Sequence, residues 1–486
     1  MSNRLKNFNT LTFLLTFLLV FVYIWYKAIH VPITHDEVAT TIHYSNYSSW
    51  EIMMYPDPWP NNHILNTLLS KGVCAILGNE PWMVRLPNVL SFLIYAIGVY
   101  RILELTISNR SRFYIPAALL FVLSPYVLDF FGLNRGYGLS IAFCTLSASH
   151  LISGFKYTNT RNIGYAFILS VVASYANFTL LVFWVATTVL VGFYLVIQYA
   201  SEKRRLWKLL AALFGISALY AALIGIPIYK MQSTNQFEYW TSNGFVRETI
   251  HSVVQNSKYG SRVFLTSDFL TWFALAVLGV NLCFIFWKWR TSNYQLKTVT
   301  NPLSIAAFLL IGTALINIVQ CWLLGVPNLN GRTALFFYPL FMILLVSSHQ
   351  FFPMGDKYHL KKTFSIVMFL FFVHHVVHTM QPHTVREWEY DANTCAVLKR
   401  LKMEHPKGKA TLETNWLFNP SFAFYTQTGK VPWLHLAAYN KSINVSSTAD
   451  YYYIMATDFA LLEGNYEVLI RFPNNCWLLK RRNPSI

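Results

Sequence analysis

The chain has 486 residues, of which 55% are hydrophobic and 12% charged, about half the roughly 25% charged fraction of soluble domains. That balance excludes a soluble globular protein. The net charge of +17 does not point to nucleic acid, because the basic residues sit in short clusters between apolar segments rather than along one soluble face.

The N-terminus carries Arg4 and Lys6 before an apolar run from Phe8 to Tyr26. The run is long for a signal core and no small-residue cleavage pattern follows it. It is expected to be a retained transmembrane helix, since about 20 residues span the hydrocarbon. Apolar segments then recur at 84–100, 113–129, 138–155, 163–177, 179–199, 209–229, 267–287, 302–325, 333–348 and 363–380, giving about eleven spans. Basic clusters fall at every second connection: Arg101 with Arg110 and Arg112, Lys156 with Arg161, Lys203 to Lys208, Lys288 with Arg290, and Lys361 with Lys362. The positive-inside rule then puts the N-terminus in the cytoplasm and the C-terminus outside, as for a bacterial inner (plasma) membrane protein.

The first outside region, 27–83, holds His35-Asp36-Glu37. Two adjacent carboxylates at a bilayer surface cost solvation energy unless something uses them. Desolvation should raise a carboxyl pKa there, which suits it to take a proton from a hydroxyl or an amine. One of the pair is free to face the reaction while the other holds the loop or a cation; a solvated pair that only sets topology is the bland alternative. The segment Asn61–Leu69 places Asn62, Asn66 and Leu69 on one helical face, as for a helix lying in the interface plane. His63 in that segment is a candidate cation or acceptor contact, or else a hydrogen-bonded structural residue.

Arg85 opens the second span in Arg85-Leu86-Pro87. Arg135 lies in Asn134-Arg135-Gly136-Tyr137 and Arg332 in Asn330-Gly331-Arg332-Thr333. All three are predicted on the Asp36 side. Each alone reads equally well as an arginine snorkelling to headgroups; together they suit a phosphate leaving group, because a guanidinium binds phosphate bidentately and keeps its charge. Asp129 is an intramembrane acid expected to pair with a nearby arginine. His374 and His378 share a helical face at the spacing a zinc site needs, without a matching carboxylate. The outside region about 230–266, with Tyr239, Trp240, Arg247 and Tyr259, reads as a loop over a cleft.

Beyond residue 380 charged residues return and long apolar runs stop. Candidate strands at 410–413, 434–438, 451–455, 467–472 and 477–480, with helices at 392–403 and 420–426, predict a small α/β domain over 381–486. Its expected role is structural or acceptor-docking. Cys395 and Cys476 flank it and are candidates for a disulfide in an oxidising compartment; two unrelated thiols is the other reading. Residues 1–380 form the membrane domain.

In order and spacing these motifs resemble the GT-C superfamily of membrane glycosyltransferases, most of all the protein O-mannosyltransferases and lipid A aminoarabinose transferases. The resemblance rests on Asp36-Glu37 just after the first span, the segment Asn61–Leu69, Arg85-Leu86-Pro87, and Ser124-Pro125 leading into Arg135-Gly136-Tyr137. It covers about 1–200 well and the remainder through topology and Arg332. Where many relatives have Gln-Glu before the Arg-x-Tyr arginine this chain has Gly132-Leu133, with Asp129 a turn earlier as a candidate replacement; where they have Pro-Pro it has Asn61-Asn62-His63.

The resemblance implies an inverting transfer of a sugar from a polyprenyl phosphate to a lipid, glycan or protein acceptor. Asp36 would be the base with Glu37 beside it, and Arg332, Arg135 and Arg85 would hold the donor phosphate. Asn62, His63 and Asp129 are candidate acceptor or cation contacts. No cofactor is required, and a divalent cation is compatible. The competing reading is a transporter or flippase of a lipid-linked or anionic solute; a third is a scaffold, which leaves the acidic motif unexplained.

Overall fold

The structure is a computed structural model that describes residues 2–236, 244–260, 265–351 and 358–482. The protein is a polytopic helical membrane protein. Among the described residues seven helices are long and apolar enough to cross a bilayer, with shorter apolar helices beside them. Helix α1 (Ser2–His30) shows why. Phe13, Phe17, Val20 and Ile24 form an inward stripe at spacings of four, three and four, while Leu11, Leu14, Leu15, Leu18 and Val22 point outward. A helix apolar on both faces packs against protein on one and lipid on the other.

After α1 the chain turns into α2 (His35–Val38), a π-helical turn (Ala39–His43), α3 (Ile64–Leu77) and α4 (Pro81–Thr106). Helix α3 starts and ends later than the segment 61–69. It buries Asn66, Thr67 and Ser70 and exposes Ile76 and Leu77, so its polar face serves the protein interior. Helix α4 crosses a later span so closely that a Cβ on Gly98 would lie 2.9 Å from the Leu146 amide nitrogen; small residues permit such approach in bilayers.

The expected single span 113–129 is instead two short helices, α5 (Tyr114–Leu120) and α6 (Pro125–Asp129). Pro125 lacks an N–H and starts α6, and the Ser124 hydroxyl accepts the Val127 N–H at 3.4 Å. Next come α7 (Tyr137–Lys156), α8 (Thr160–Ala176), α9 (Leu181–Tyr199), α10 (Lys203–Ser233), α11 (Ser252–Ser257), α12 (Ser267–Thr291), α13 (Pro302–Leu324), α14 (Phe337–Ser347) and α15 (Tyr358–Thr379). Tyr239 and Trp240 lie outside the described residues. Tyr259 is a buried residue, not part of a loose flap.

The C-terminal region forms a five-stranded sheet in the order β2-β1-β3-β5-β4, made of β1 (Ala410–Thr414), β2 (Leu434–Leu436), β3 (Tyr451–Met455), β4 (Tyr466–Arg471) and β5 (Cys476–Arg481). Strand β1 runs parallel to β2 and β3, and β5 antiparallel to β3 and β4. Helices α16 (Thr394–Glu404) and α17 (Asn419–Gln427) complete it. Its core includes Ile33, Val38 and Val84 beside Leu412, Phe422 and Tyr453, and the Ser421 hydroxyl donates to the Ile33 carbonyl at 2.7 Å. The sheet is thus docked on the acidic loop.

The candidate disulfide is absent. Cys395 contacts the Tyr425 hydroxyl at 3.3 Å, and Cys476 sits on β5 against Met455; both are free thiols.

Candidate functional site

The site begins with the turn after α1. Thr34 caps α2, its N–H and hydroxyl both donating to Glu37 Oε2 at 2.9 and 3.0 Å. Arg85 reaches down from the start of α4. Its Nε and Nη2 bind the two Glu37 oxygens at 2.8 and 2.7 Å, and its remaining N–H groups go to the carbonyls of Ala28, Val31 and Pro32. A guanidinium has five N–H donors, and all five are taken. The Asn134 N–H also donates to Glu37 Oε1. Burial pushes the Glu37 carboxyl up, but Arg85 and these hydrogen bonds together hold it below the ordinary range.

Of the two carboxylates, Glu37 is the one that holds the loop, its oxygens occupied by Arg85 and backbone N–H groups, and Arg85 has no N–H left for a phosphate. Both are completely buried.

Asp36 faces the other way. Its Oδ2 lies 3.1 Å from Arg332 Nη2 and 3.7 Å from Arg135 Nη2. The contacts are ionic, with no well-aligned hydrogen bond at that oxygen. Burial raises the Asp36 carboxyl, but Arg135 and Arg332, with His35 and the Trp388 indole N–H, lower it more, so it lies below the usual carboxylate range. The rise expected from desolvation is reversed by the charges of the two guanidinium groups.

Arg135 is held by backbone on both sides of the pocket, Nη1 donating to the carbonyls of Asp36 at 3.1 Å and Asn61 at 3.2 Å. Behind it runs a buried amide chain. Asn88 donates to Asn66, Asn66 to Asn134 at 3.0 Å, and Asn134 to the Ser70 hydroxyl at 3.1 Å. This chain explains the inward polar face of α3. Asn62 belongs to the same framework: it accepts from Thr67 at 3.0 Å and donates to the Ile52 carbonyl at 3.4 Å.

His63 is buried with its ring 5.0 Å from that of Tyr137. Burial, then the charges of Arg135 and Arg332, hold it well below the ordinary imidazole range, so it is neutral.

A strap absent from the sequence expectations completes the pocket. Residues Arg386–Asn393 form a kinked 3₁₀ segment between α15 and α16. Its Glu387 lies 3.5 Å from Arg332 and accepts the Tyr126 hydroxyl at 2.8 Å. Its Trp388 ring lies 5.1 Å from the Arg332 guanidinium, and its Asp391 accepts the His35 N–H at 2.7 Å. Burial raises the Asp391 carboxyl well above its ordinary range. The signal in the sequence was the acidic-aromatic run Glu387-Trp388-Glu389-Tyr390-Asp391 just past the last span.

Asp129 is not with Arg135. It pairs with Lys27 on α1, and accepts from the Tyr259 hydroxyl at 2.5 Å and the Arg386 N–H at 3.3 Å. It ties the strap to the membrane domain and contacts neither Asp36 nor Arg332.

The acidic side chains here are engaged mainly with protein groups, although Asp391 Oδ1 has no hydrogen-bond partner among the described residues. Asp36 is matched by two guanidinium groups, Glu387 by Tyr126 and Arg332, and Asp391 by a backbone N–H. Among the described residues no three ligating side chains gather. The rings of His374 and His378 lie 4.2 Å apart, tilted by 38°, with His378 Nδ1 at 2.8 Å from the His374 carbonyl.

An apolar cavity of 440 Å³ is linked to the site through helix α11 and is lined by Val253, Val254, Leu278, Leu310, Phe337 and Phe341 among others. Helix α11 joins the two features. Its Val253 and Val254 line the cavity, and its Ser252 hydroxyl accepts the N–H of Gly331, next to Arg332, at 2.9 Å.

Neither a protein-family model nor a curated protein matches the chain. Solved structures do. One is ArnT from Cupriavidus metallidurans bound to undecaprenyl phosphate, 11% identical with a TM-score of 0.48, covering 98% of each chain. Another is the Archaeoglobus fulgidus oligosaccharyltransferase in complex with Zn and sulfate, 11% identical with a TM-score of 0.43, covering 96% of this chain and 73% of that one. A third is AglB of the same organism with an inhibitory peptide and a dolichol-phosphate, 10% identical with a TM-score of 0.40, covering 99% and 75%. At these scores the likeness is one of outline, and the chemistry of the site rests on its own residues.

Proposed function

We propose that the chain is a GT-C-type membrane glycosyltransferase that moves a sugar from a polyprenyl-phosphate donor to a lipid, glycan or protein acceptor at the extracytoplasmic face. The observation that supports this most is Asp36 facing both Arg135 and Arg332, with an apolar cavity linked to them through helix α11. Two guanidinium groups that cannot lose their charge suit a phosphate, and the cavity suits the adjoining isoprenoid.

In the donor-free state Asp36 is the counter-ion of both arginines and a weak base. A donor phosphate takes over the guanidinium groups and brings its own negative charge close by, and both changes raise the Asp36 pKa. Asp36 then removes the proton from an acceptor hydroxyl or amine. The nucleophile bonds to the anomeric carbon as the bond from that carbon to the phosphate oxygen breaks, and the electron pair leaves on the lipid phosphate. Arg332 and Arg135 stabilise that growing charge. A single displacement inverts the centre, and Glu37, spent on Arg85, is not available as a second nucleophile.

Two results are expected. Arg332→Ala lowers turnover about 10²–10³-fold, the usual cost of losing one preorganised electrostatic contact, and weakens donor use more than acceptor use; steady-state kinetics varying each substrate check it, and equal loss toward both would indicate a folding role. Activity needs ionised Asp36, so it falls as pH drops through the Asp36 pKa. Since kcat/KM reports the free enzyme and kcat the complex, the acid limb of kcat is expected at higher pH than that of kcat/KM. Coincident limbs would contradict the exchange of counter-ions. The identity of the transfer is tested by offering purified protein a panel of radiolabelled polyprenyl-phospho-sugars with candidate acceptors and recording which label moves.

A further inference from the structure

Beyond Arg135 lies a group of buried polar atoms that the proposed chemistry does not use. Asp36, Thr40 and Tyr44 are each four residues apart, and the stretch between them runs through the π-helical turn Ala39–His43. Such turns are rare and concentrate at functional sites. They widen the coil, so that these three residues stay on one side.

Thr40 is 1% exposed, Tyr44 0%, His63 6% and Arg135 1%. Thr40 Oγ1, the Tyr44 hydroxyl, His63 Nε2 and Arg135 Nε all lack a hydrogen-bond partner among the described residues. Buried polar groups are nearly always partnered, so four orphans in one neighbourhood need an explanation.

Tyr44 and His63 are neighbours through Arg135, and Thr40 stands four residues before Tyr44 in the π-helical turn. Arg135 Nη1 bridges the carbonyls of Asp36 and Asn61, which brings the Asp36–Tyr44 helix against the segment carrying His63. A Cβ on Gly136 would lie 2.8 Å from His63 Cβ, and the Arg135 charge acts on both Tyr44 and His63.

We infer that Thr40, Tyr44, His63 and Arg135 Nε form the subsite for the donor's sugar ring, and that it takes an uncharged, hydroxyl-rich sugar. The inference rests on the glycosyltransferase reading above. In such a donor the sugar is bonded directly to the phosphate, so a ring beside the Arg135–Arg332 pair has to occupy the adjoining space. Sugar hydroxyls both donate and accept, as do the Thr40 and Tyr44 hydroxyls; neutral His63 offers an acceptor or a donor according to tautomer, and Arg135 Nε a donor.

The charges favour a neutral ring. Among the described residues a sugar amine would find no free carboxylate: Glu37 is locked to Arg85, Asp36 faces two arginines, Asp57 is held by His43 at 2.7 Å and Tyr47 at 3.0 Å, and Asp391, whose Oδ1 has no partner, is raised well above the ordinary carboxylate range by burial. Arg135 would repel it.

The test measures equilibrium binding of radiolabelled lipids to the full-length chain in nanodiscs. The probes are bare polyprenyl phosphate and the same lipid bearing glucose, galactose, mannose, an amino sugar or a uronic acid. At least one neutral-hexose lipid is expected to bind about tenfold tighter than the bare phosphate, and Tyr44→Phe and Thr40→Val should each erode that preference several-fold while bare-lipid binding persists. Persistent bare-lipid binding also reports that each variant is folded, and if one variant fails that control the other decides.

A preference untouched by both substitutions, a preference for the amino or uronic sugar, or tight binding of the bare lipid with no gain from any sugar would overturn the subsite and leave the phosphate reading standing. Failure of the unaltered protein to hold any polyprenyl phosphate would overturn the glycosyltransferase reading itself, and the subsite with it.

Discussion

Asp36→Asn is expected to lower transfer by about 10²–10⁴-fold, the range for a positioned general base, while the chain inserts and folds as before. The substitution keeps the size of the side chain and removes its charge. Arg332 retains Glu387, and Arg135 retains the carbonyls of Asp36 and Asn61, so the pocket should hold its shape. A second consequence separates a base from a mere structural ion pair. Asp36 competes with an incoming phosphate for both guanidinium groups, so Asp36→Asn should bind polyprenyl phosphate at least as tightly as the unaltered chain. Single-turnover transfer and equilibrium lipid binding on the same preparation check both halves. Near-normal turnover would remove the base assignment, and loss of lipid binding would make Asp36 part of the phosphate cradle.

The second large effect is on stability. Glu37→Gln leaves Arg85 charged, completely buried and without its carboxylate. Breaking a buried pair from one side typically costs about 3–5 kcal/mol, and a thermal melt in detergent should show it. Replacing a buried pair with apolar residues often restores stability. Here it should not. Arg85 also holds three carbonyls and Glu37 two backbone N–H groups, and a Glu37→Leu, Arg85→Met chain would strand them all. Turnover should fall in both variants, because the clamp sets the register of the helix that carries Asp36. Melting and turnover of Glu37→Gln equal to those of the unaltered chain would refute the clamp.

Much of this site could be seen in the sequence, and the part that could not has a physical reason. Apolar length marked most of the helices, and short runs between returning charged residues marked all five strands, because both are local properties of the chain. Asp36, Arg135 and Arg332 stood out because isolated charges at the ends of apolar segments need a purpose. Partner choice is not local. Arg85 looks like Arg135 in sequence, yet one meets Glu37 and a ring of carbonyls while the other faces the pocket. Asp129 pairs with Lys27, roughly a hundred residues earlier, rather than with Arg135 six residues on. The direction of the Asp36 pKa depended on the same missing partners. The segment 113–129 was mostly apolar up to Asp129, and Ser124-Pro125 hinted at its break. The strap with Glu387, Trp388 and Asp391 was hidden because its role comes from the docking of the C-terminal sheet on the first loop.

The reading as a whole depends on the bond that breaks. The most direct test places purified protein in vesicles whose polyprenyl-phospho-sugar carries label in the sugar and in the lipid phosphate, supplies candidate acceptors, and follows both labels. Transfer predicts that the sugar label moves to an acceptor while an equal amount of bare polyprenyl phosphate appears, both dependent on Asp36. Intact donor carried to the opposite leaflet, with both labels still joined, would contradict a transferase and leave a flippase in its place.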